Sequence, residues 1–501
     1  MALLDQMTDR VSAAVWNLHP RRAVGVGKHT YDGVVPDLSA GAIEAGLDRL
    51  GRLREQLTGL AGLTPGQEVE REVLLGVVDR ERFEASVARR LSRDPGSYLE
   101  ALDITVYLER DYAPAGLRLE RAAAVLGEAG SVLRTARDNL DPVLPRAWVE
   151  AALLQIGSVA AWLRGLEQTG PGPAFPADEA AWFREAAGHA AAELGSFAAW
   201  LREERLPAAA DAFALGREGL EEWLWATERL EGAAEDAAHA GAALLEEDRA
   251  ALARAVPSGP VPAPWGPGAV EAALDRARRF VADSDLVMVP GSPGLRVLGG
   301  SRPARGPGWL QAPGSYDDPA TGAVLCLAHG WVPGRGDLDA LAVALAWPGR
   351  LLQGIAAAAA PGEARKRFPS RAFEEGWELY SGDLMAEAGF GAWAPAWFPA
   401  TLRRAVVEDC RLVCVTGLHA RGMAVEEAAD LFIGVAGLPE AAGRAEALRC
   451  AADPGCAAGA LGRIAFRRLR RRRGGEARAA FHDALLSAGA VPVGLLDRVL
   501  P

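Results

Sequence analysis

Zinc-assisted hydrolysis needs three protein ligands drawn from His, Cys, Asp and Glu, with a fourth position open for water. It also needs a carboxylate beside that water to take its proton. Seven histidines and five cysteines could serve such a site. The segment His329-Gly330-Trp331-Val332-Pro333-Gly334-Arg335 offers one imidazole in a Pro-Gly setting, but no adjacent glutamate and no second histidine. A loop histidine is the simpler reading. Cys410 and Cys414 are one helical turn apart, with Cys450 and Cys456 further on. Their spacings do not fit common zinc knuckles, so buried free thiols are expected. The run Arg467-Arg468-Leu469-Arg470-Arg471-Arg472-Arg473 has the charge of a nucleic-acid patch but no interleaved aromatics, and it sits in a chain of net charge −12. A solvated helix face is the better reading.

The elements that must hold these residues are mostly helical. Fifty per cent hydrophobic and 24% charged residues in 501 make a globular composition with room for a large core. Lys occurs only at 28 and 366, so nearly every cation is Arg, as coding bias would produce. Residues 1–40 are rich in turn formers and read as irregular. From about 42 to 255 the pattern is helical. Leu47, Leu50, Leu53, Leu57 and Leu60 recur at helical spacing, and similar stripes run through 67–92, 116–140, 146–168, 178–203 and 208–247. A Pro- and Gly-rich connector spans 256–268, and a helix is expected over 269–283. The runs 286–289, 295–298 and 323–328 are β-prone, and helices resume at about 338. The fold class is therefore mostly α, a large helical protein with a small β-sheet in the second half. It divides into an N-terminal helical lobe, 1–255, and a C-terminal lobe, 256–501, with the sheet at about 285–330. The start has acids at Asp5 and Asp9 and no secretion-signal pattern. Leu341–Ala360, the most apolar long stretch, is broken by Pro348, Gly349 and Arg350. These features point to a cytoplasmic protein with no membrane and no nucleic-acid partner.

Five motifs carry a resemblance. Glu375-Gly376-Trp377-Glu378-Leu379-Tyr380, Arg411-Leu412-Val413-Cys414-Val415-Thr416-Gly417-Leu418-His419-Ala420, Phe481-His482-Asp483-Ala484-Leu485-Leu486 with Gly489-Ala490-Val491-Pro492, and at the start His19-Pro20 and Tyr31-Asp32-Gly33, together span nearly the whole chain. Together they resemble the bacterial family known as domain of unknown function 885, which looks like a distant branch of the gluzincin metallopeptidases. The resemblance implies a gluzincin-like helical cleft architecture. It also implies a zinc motif, His-Glu-x-x-Pro-Gly-His followed by Leu-Gln, with the glutamate before Gly-Trp as the remaining ligand.

This chain departs from that pattern. Laying Trp347-Pro348-Gly349-Arg350-Leu351-Leu352-Gln353 on the motif puts Ala344 and Leu345 where His and Glu belong, and Arg350 where the second His belongs. Val415 stands in place of an Asp that would orient a ligand. The family's Arg-Tyr and Pro-Gly-Gln become Arg449-Cys450 and Pro454-Gly455-Cys456. Ala, Leu and a protonated Arg cannot ligate zinc, and Leu cannot act as a base. The degenerate positions are thus Ala344, Leu345, Arg350, Glu375 and Val415. Gln353, Gly376, Trp377, Tyr380, His419, Arg449 and His482 are retained. No catalytic residue, metal ligand or cofactor is assigned.

The expected function is that of a non-catalytic, zinc-less metallopeptidase-like protein that binds a small molecule, peptide or protein. The alternatives are an enzyme of altered chemistry and an active zinc hydrolase whose ligands lie elsewhere. A deep apolar pocket is expected near Glu375, Trp377 and Tyr380. Arg350 is expected to reach Glu375 or Glu374 as an ion pair in place of the metal. The competing arrangement has Arg350 in solvent and Glu375 bonded to backbone amides or to another Arg such as Arg411.

Overall fold

The structure is a computed structural model that describes residues 2–172, 174–176, 180–255, 267–289, 291, 294–299, 306–328, 330–334, 336–474 and 478–500. The connector at 256–266, and His329 and Arg335 of the isolated Pro-Gly segment, lie outside the described residues.

Amphipathic stripes become helices where expected. Ala40–Thr58 buries Leu50, Leu53 and Leu57, and Arg146–Thr169 and Ala180–Trp200 pack side by side. Three long stripes are each broken. The 67–92 pattern ends as a helix at Ser86, the 116–140 pattern divides at Glu128, and the 208–247 pattern divides between Glu228 and Ala234. Local backbone explains one break, because Arg229 adopts a left-handed conformation (φ 56°) that no α-helix continues through. The N-terminus corrects the irregular reading of residues 1–40: Ala2–Leu18 is a helix whose Leu4, Met7, Val11 and Val15 face the core at three- and four-residue steps. His19 precedes a short helix, Pro20–Gly25, which also corrects that reading, and Tyr31 and Asp32 end the 3-10 turn His29–Tyr31. His19 Nε2 is 2.8 Å from Glu81, and Asp32 accepts from the Tyr112 hydroxyl at 2.9 Å.

The sheet has three strands, β1 (Leu295–Gly299), β2 (Gly308–Gln311) and β3 (Ala323–Leu327), in the order β1-β3-β2. β1 runs parallel to β3 with Leu295 opposite Ala323, and β2 runs antiparallel with Gly308 opposite Leu327. All of β3 is buried, which is why it reads as a continuous apolar run. The run 286–289 is not a strand. Leu286 and Val287 are buried in the helical core, and the Leu286 carbonyl and Met288 amide bond to His482 and Asp483 instead of to a ladder. β2 went unexpected because GWLQ is too short to show alternation.

Three apolar clusters fill the interior. The first joins Leu4 to Val78 with Val270 to Val287, the sheet, the site helices and the last residues through Leu500. The second lies within residues 24–201. The third joins Phe83 to Leu245 with Val406 to Leu461. The first and third therefore draw on both sides of residue 255. Asp337–Ala358 is long and apolar enough to cross a membrane, but it is two helices, Asp337–Leu345 and Arg350–Ala358, and 72% of its most apolar 18-residue window is buried inside the protein.

The helix Arg371–Ala388 is the centre of the second half. Ser370 caps it, its hydroxyl accepting from the Phe373 amide at 3.0 Å, and Gly389 ends it at φ 89°. It crosses Ala458–Arg472 at unusually close range. A Cβ on Gly376 would lie 2.5 Å from Gly462 Cα, and one on Gly462 would lie 1.8 Å from the Ala372 carbonyl oxygen. Both obstacles are backbone, so neither can swing away. Gly462→Ala and Gly376→Ala should each destabilise by about 1–3 kcal/mol or more through overpacking. Gly391→Ala, which meets open space, should be near neutral. Urea unfolding of the three variants checks this; equal midpoints would show that the crossing tolerates a methyl group.

Candidate functional site

Ala344 and Leu345 occupy the last turn of the 337–345 helix and are buried. The chain turns through Trp347 and Pro348, and Arg350 opens the next helix. Its guanidinium points at the 371–388 helix, with Nη2 2.7 Å from Glu374 Oε2 and Nη1 3.7 Å from Glu378 Oε1. Glu374 and Glu378 are one turn apart, so one fork meets both carboxylates. Glu378 is shared with Arg404 from the helix Trp397–Ala420.

Glu375 faces the other way. Its partner is Arg371, at 2.7 Å, and Arg371 also holds Asp453 at 3.1 Å. Arg411 is engaged by Glu408 and Glu446. The pairing of Arg350 therefore falls on Glu374, while Glu375 finds an arginine on its own helix. Burial pushes the Glu374 and Glu378 carboxyls above their ordinary value, with Arg350 and Arg404 acting in the opposite sense. Burial also works against the charge on Arg350, but Glu374, Glu378 and Glu375 outweigh it and hold the guanidinium firmly protonated.

The remaining positions separate into two groups. Trp377 is fully buried and donates from Nε1 to the Pro348 carbonyl at 2.8 Å. Tyr380 lies 3.1 Å from His482 Nε2, and Arg470 donates to the same hydroxyl at 3.2 Å. His482 Nδ1 donates to the Leu286 carbonyl at 2.9 Å, so this imidazole joins three segments and is a packing residue. Beyond the other face of the helix, His419 Nε2 donates to the Cys450 carbonyl at 3.0 Å and Nδ1 has no partner among the described residues. Arg449 lies 3.5 Å from Glu446. Val415 packs in the third cluster. Gln353 is buried with neither amide atom hydrogen-bonded among the described residues.

Among the described residues, neither of the two cavities is walled by Glu375, Trp377 or Tyr380, where a deep pocket was expected. Trp377 and Tyr380 are core residues, and Glu375 and Arg371 are about equally exposed in their ion pair, at 34% and 37%. Beside Ala344 there is a cavity of about 30 Å³, bordered by Val343, Glu378, Thr401 and Arg404. It has room for about one water. A larger, open groove of about 420 Å³ lies elsewhere, between Gly33–Leu38 and Glu128–Thr135. Among the described residues no group of three or more His, Cys, Asp or Glu side chains is placed to hold a metal ion. All five cysteines are buried thiols. The arginine run is partly tied down, with Arg467 on Glu247 and Arg472 on Asp497.

Two acidic residues that the sequence did not single out stand near this site. Glu228 is buried and accepts from the Ser370 hydroxyl and the Ala372 and Val493 amides; burial nevertheless raises its carboxyl to about 7. Asp409, fully buried beside Arg463 and Asp248, is raised far above its ordinary range by burial. Neither residue stood out in the sequence: Asp409 follows another acid, Glu408, in a helix that also carries Arg403, Arg404 and Arg411, and the partners of Glu228 lie more than a hundred residues away.

Removing Arg350 leaves Glu374 buried without a cation. Arg350→Ala should cost about 1–3 kcal/mol, less than a fully buried pair because both groups keep some solvent contact. The loss should shrink as pH falls and Glu374 protonates, and adding Glu374→Gln should recover part of it. A double-mutant cycle showing no coupling would sink this reading. A second effect concerns acid. Burial pulls His419 and His482 down to about 4, so both are neutral in the fold and take up protons on unfolding. Their contribution is full above about pH 6.5 and is lost as pH falls toward 4, on the order of 3 kcal/mol each. Unfolding free energies between pH 7 and pH 4 should slope less in His419→Gln than in the unmodified protein.

Two solved structures share this fold. One is a candidate lipoprotein of unknown function from Shewanella oneidensis, with TM-score 0.74 and 18% identity over 99% of each chain. The other is a candidate lipoprotein from Colwellia psychrerythraea, with TM-score 0.78 and 15% identity over 99% of this chain and 98% of that one. Both descriptions overturn the expectation of a cytoplasmic protein with no membrane association, which rested on the N-terminal residues, the interrupted apolar stretch 341–360 and overall composition. No curated protein matches the chain. The family described as bacterial protein of unknown function (DUF885) matches residues 20–288 and 319–500, and the chain belongs to that family.

Proposed function

We propose that the protein is a zinc-less relative within a metallopeptidase-like scaffold, working by binding a small molecule, peptide or protein partner rather than by hydrolysis. The observation that carries this reading is the guanidinium of Arg350 set between Glu374 and Glu378. The resemblance asks for an imidazole at position 350, and here a permanent cation supplies positive charge to the carboxylates without being able to ligate a metal. Ala344 and Leu345 offer neither a ligand nor a base. The residues present therefore do not fit zinc, and no hydrolytic step is assigned to them. The likeness to two candidate lipoproteins supports a working place at a membrane.

Elemental analysis of the purified protein tests the reading directly. Zinc far below one equivalent per chain is expected, and a stoichiometric amount retained through dialysis would refute it. Ala344→His, Leu345→Glu and Arg350→His together restore the side chains that the resemblance asks for. This variant should bind zinc weakly and hydrolyse no peptide, because Val415 leaves a ligand unoriented. Robust peptidase activity would show that the surrounding support had survived.

A further inference from the structure

His29 stands where three segments meet. It opens the 3-10 turn His29–Tyr31, and each of its ring nitrogens faces a carboxylate. Nε2 is 2.7 Å from Asp317 Oδ1, and Nδ1 is 3.2 Å from Asp32 Oδ1. Asp32 also accepts from the Tyr112 hydroxyl at 2.9 Å. Asp317 lies in the loop between β2 and β3, and its other oxygen accepts from Arg110 at 3.1 Å and from the Gly314 amide at 2.7 Å. The Tyr112 ring lies flat on the imidazole, with centroids 3.8 Å apart and planes 4° from parallel. Beside this cluster the two backbones touch. The Tyr316 amide donates to the Val26 carbonyl at 2.9 Å, and a Cβ on Gly314 would lie 2.3 Å from the Val26 carbonyl carbon.

The geometry sets the charge. An ionised carboxylate only accepts, so a ring nitrogen bonded to one carries hydrogen, and an imidazole with hydrogen on both nitrogens is an imidazolium. Burial works against that charge, but the bonds to Asp317 and Asp32 outweigh it and raise the imidazole to about 9. Burial also opposes the charge on Asp317, where His29, Arg110 and the Gly314 amide outweigh it and hold the carboxyl below its ordinary range. The groups facing the ring are thus Asp32 on its own turn, Asp317 with Arg110 behind it, and Tyr112 over one face. The neighbouring cation, Lys28, lies on the Tyr316 ring at 3.5 Å. His29 is 30% exposed, so its proton exchanges with solvent, whereas Asp317 is fully buried. His19 bridges Glu81 and Glu100 in a similar way, but Arg22 shares both of those carboxylates and remains as a cation when the proton leaves. Among the described residues Asp32 has no such second cation.

We propose that His29 is a proton-operated latch that fastens the 26–33 segment to the loop between β2 and β3. While protonated, the ring is the shared counter-charge of Asp32 and Asp317. When the proton leaves, one nitrogen turns from donor to acceptor and its lone pair faces a carboxylate oxygen, so one of the two bonds is replaced by repulsion. The latch crosses a seam: Val24, Tyr31 and Tyr112 belong to the second apolar cluster, and the strand that follows the loop belongs to the first. Opening it loosens that seam and leaves both interiors packed. The sign follows from the raised value of the ring. Closure is fully favoured below about pH 6.5, and that favour is lost as pH rises through about 9, on the order of a hundredfold in the closing equilibrium. The proposal is independent of the zinc-less reading.

The test is hydrogen–deuterium exchange of the full chain between pH 7 and pH 10, read by peptide mass spectrometry and corrected for the pH dependence of free-peptide exchange. Peptides spanning 26–33 and 313–318 should lose about tenfold or more of their protection, while peptides from the helices at 146–169 and 180–200 keep theirs. In His29→Gln, which carries no charge, both segments should be weakly protected already at pH 7 and insensitive to pH. Asp317→Asn keeps an acceptor for Nε2 but removes one charge, so the loss should move to lower pH. The measurement on the unmodified chain needs no substitution, so a variant that misfolds does not spoil the test. Constant protection of both segments from pH 7 to pH 10, a loss spread evenly over the chain, or a loss centred on His19 and Glu81 instead overturns the proposal.

Discussion

Three glutamates, Glu374, Glu375 and Glu378, crowd one turn of the 371–388 helix, and taking carboxylates out of water costs several kcal/mol each unless a cation meets them. The cations come from three places. Arg350 arrives from the turn after the 337–345 helix, Arg404 from the 397–420 helix, and Arg371 from the same helix one turn back. The approach of those elements is therefore tied to charge as well as to apolar packing. The Gly376–Gly462 crossing sets how deeply the helix sinks, and the arginines make that depth tolerable for its acidic face.

The start of the same helix is fixed by a second polar junction. Ser370 caps the first turn, and Glu228 accepts from that hydroxyl and from two backbone amides, one in the helix and one at Val493. A side chain from the N-terminal half thus ends where the site helix begins and where the C-terminal segment passes. Positive φ at Arg229, immediately after Glu228, turns the chain away so that the carboxylate can enter the junction.

What was legible in the sequence follows from periodicity. Long stripes such as Leu47–Leu60 dictate helices because burial on one face repeats every three or four residues. The 286–289 run carries the same β-prone residues as β1, yet it is buried against helices, and its polar backbone is satisfied by His482 and Asp483; no local pattern distinguishes the two outcomes. The N-terminal stripe from Leu4 to Val15 was overlooked because turn formers dominate residues 19–39. At the site, residue types alone show that positions 344, 345 and 350 carry no side chain able to ligate zinc. The choice of Glu374 over Glu375 was not, since it depends on which helix face meets the 346–349 turn. The burial of Trp377 and Tyr380 also closed the space where a pocket was expected.

The first apolar cluster holds Leu4 and Leu500 together. During synthesis the segment around Leu4 leaves the ribosome long before the segment around Leu500 exists. The second cluster, confined to residues 24–201, can form meanwhile, because all of its parts have emerged. The N-terminal helix finds its main partners, Ala40–Thr58 and Pro65–Ser86, soon after it emerges, but the face that these three helices share waits for residues 270–500 to complete its cover. A nascent chain of this protein therefore carries a partly covered apolar face through much of its elongation, and the earliest residues reach their final packing only with the latest ones.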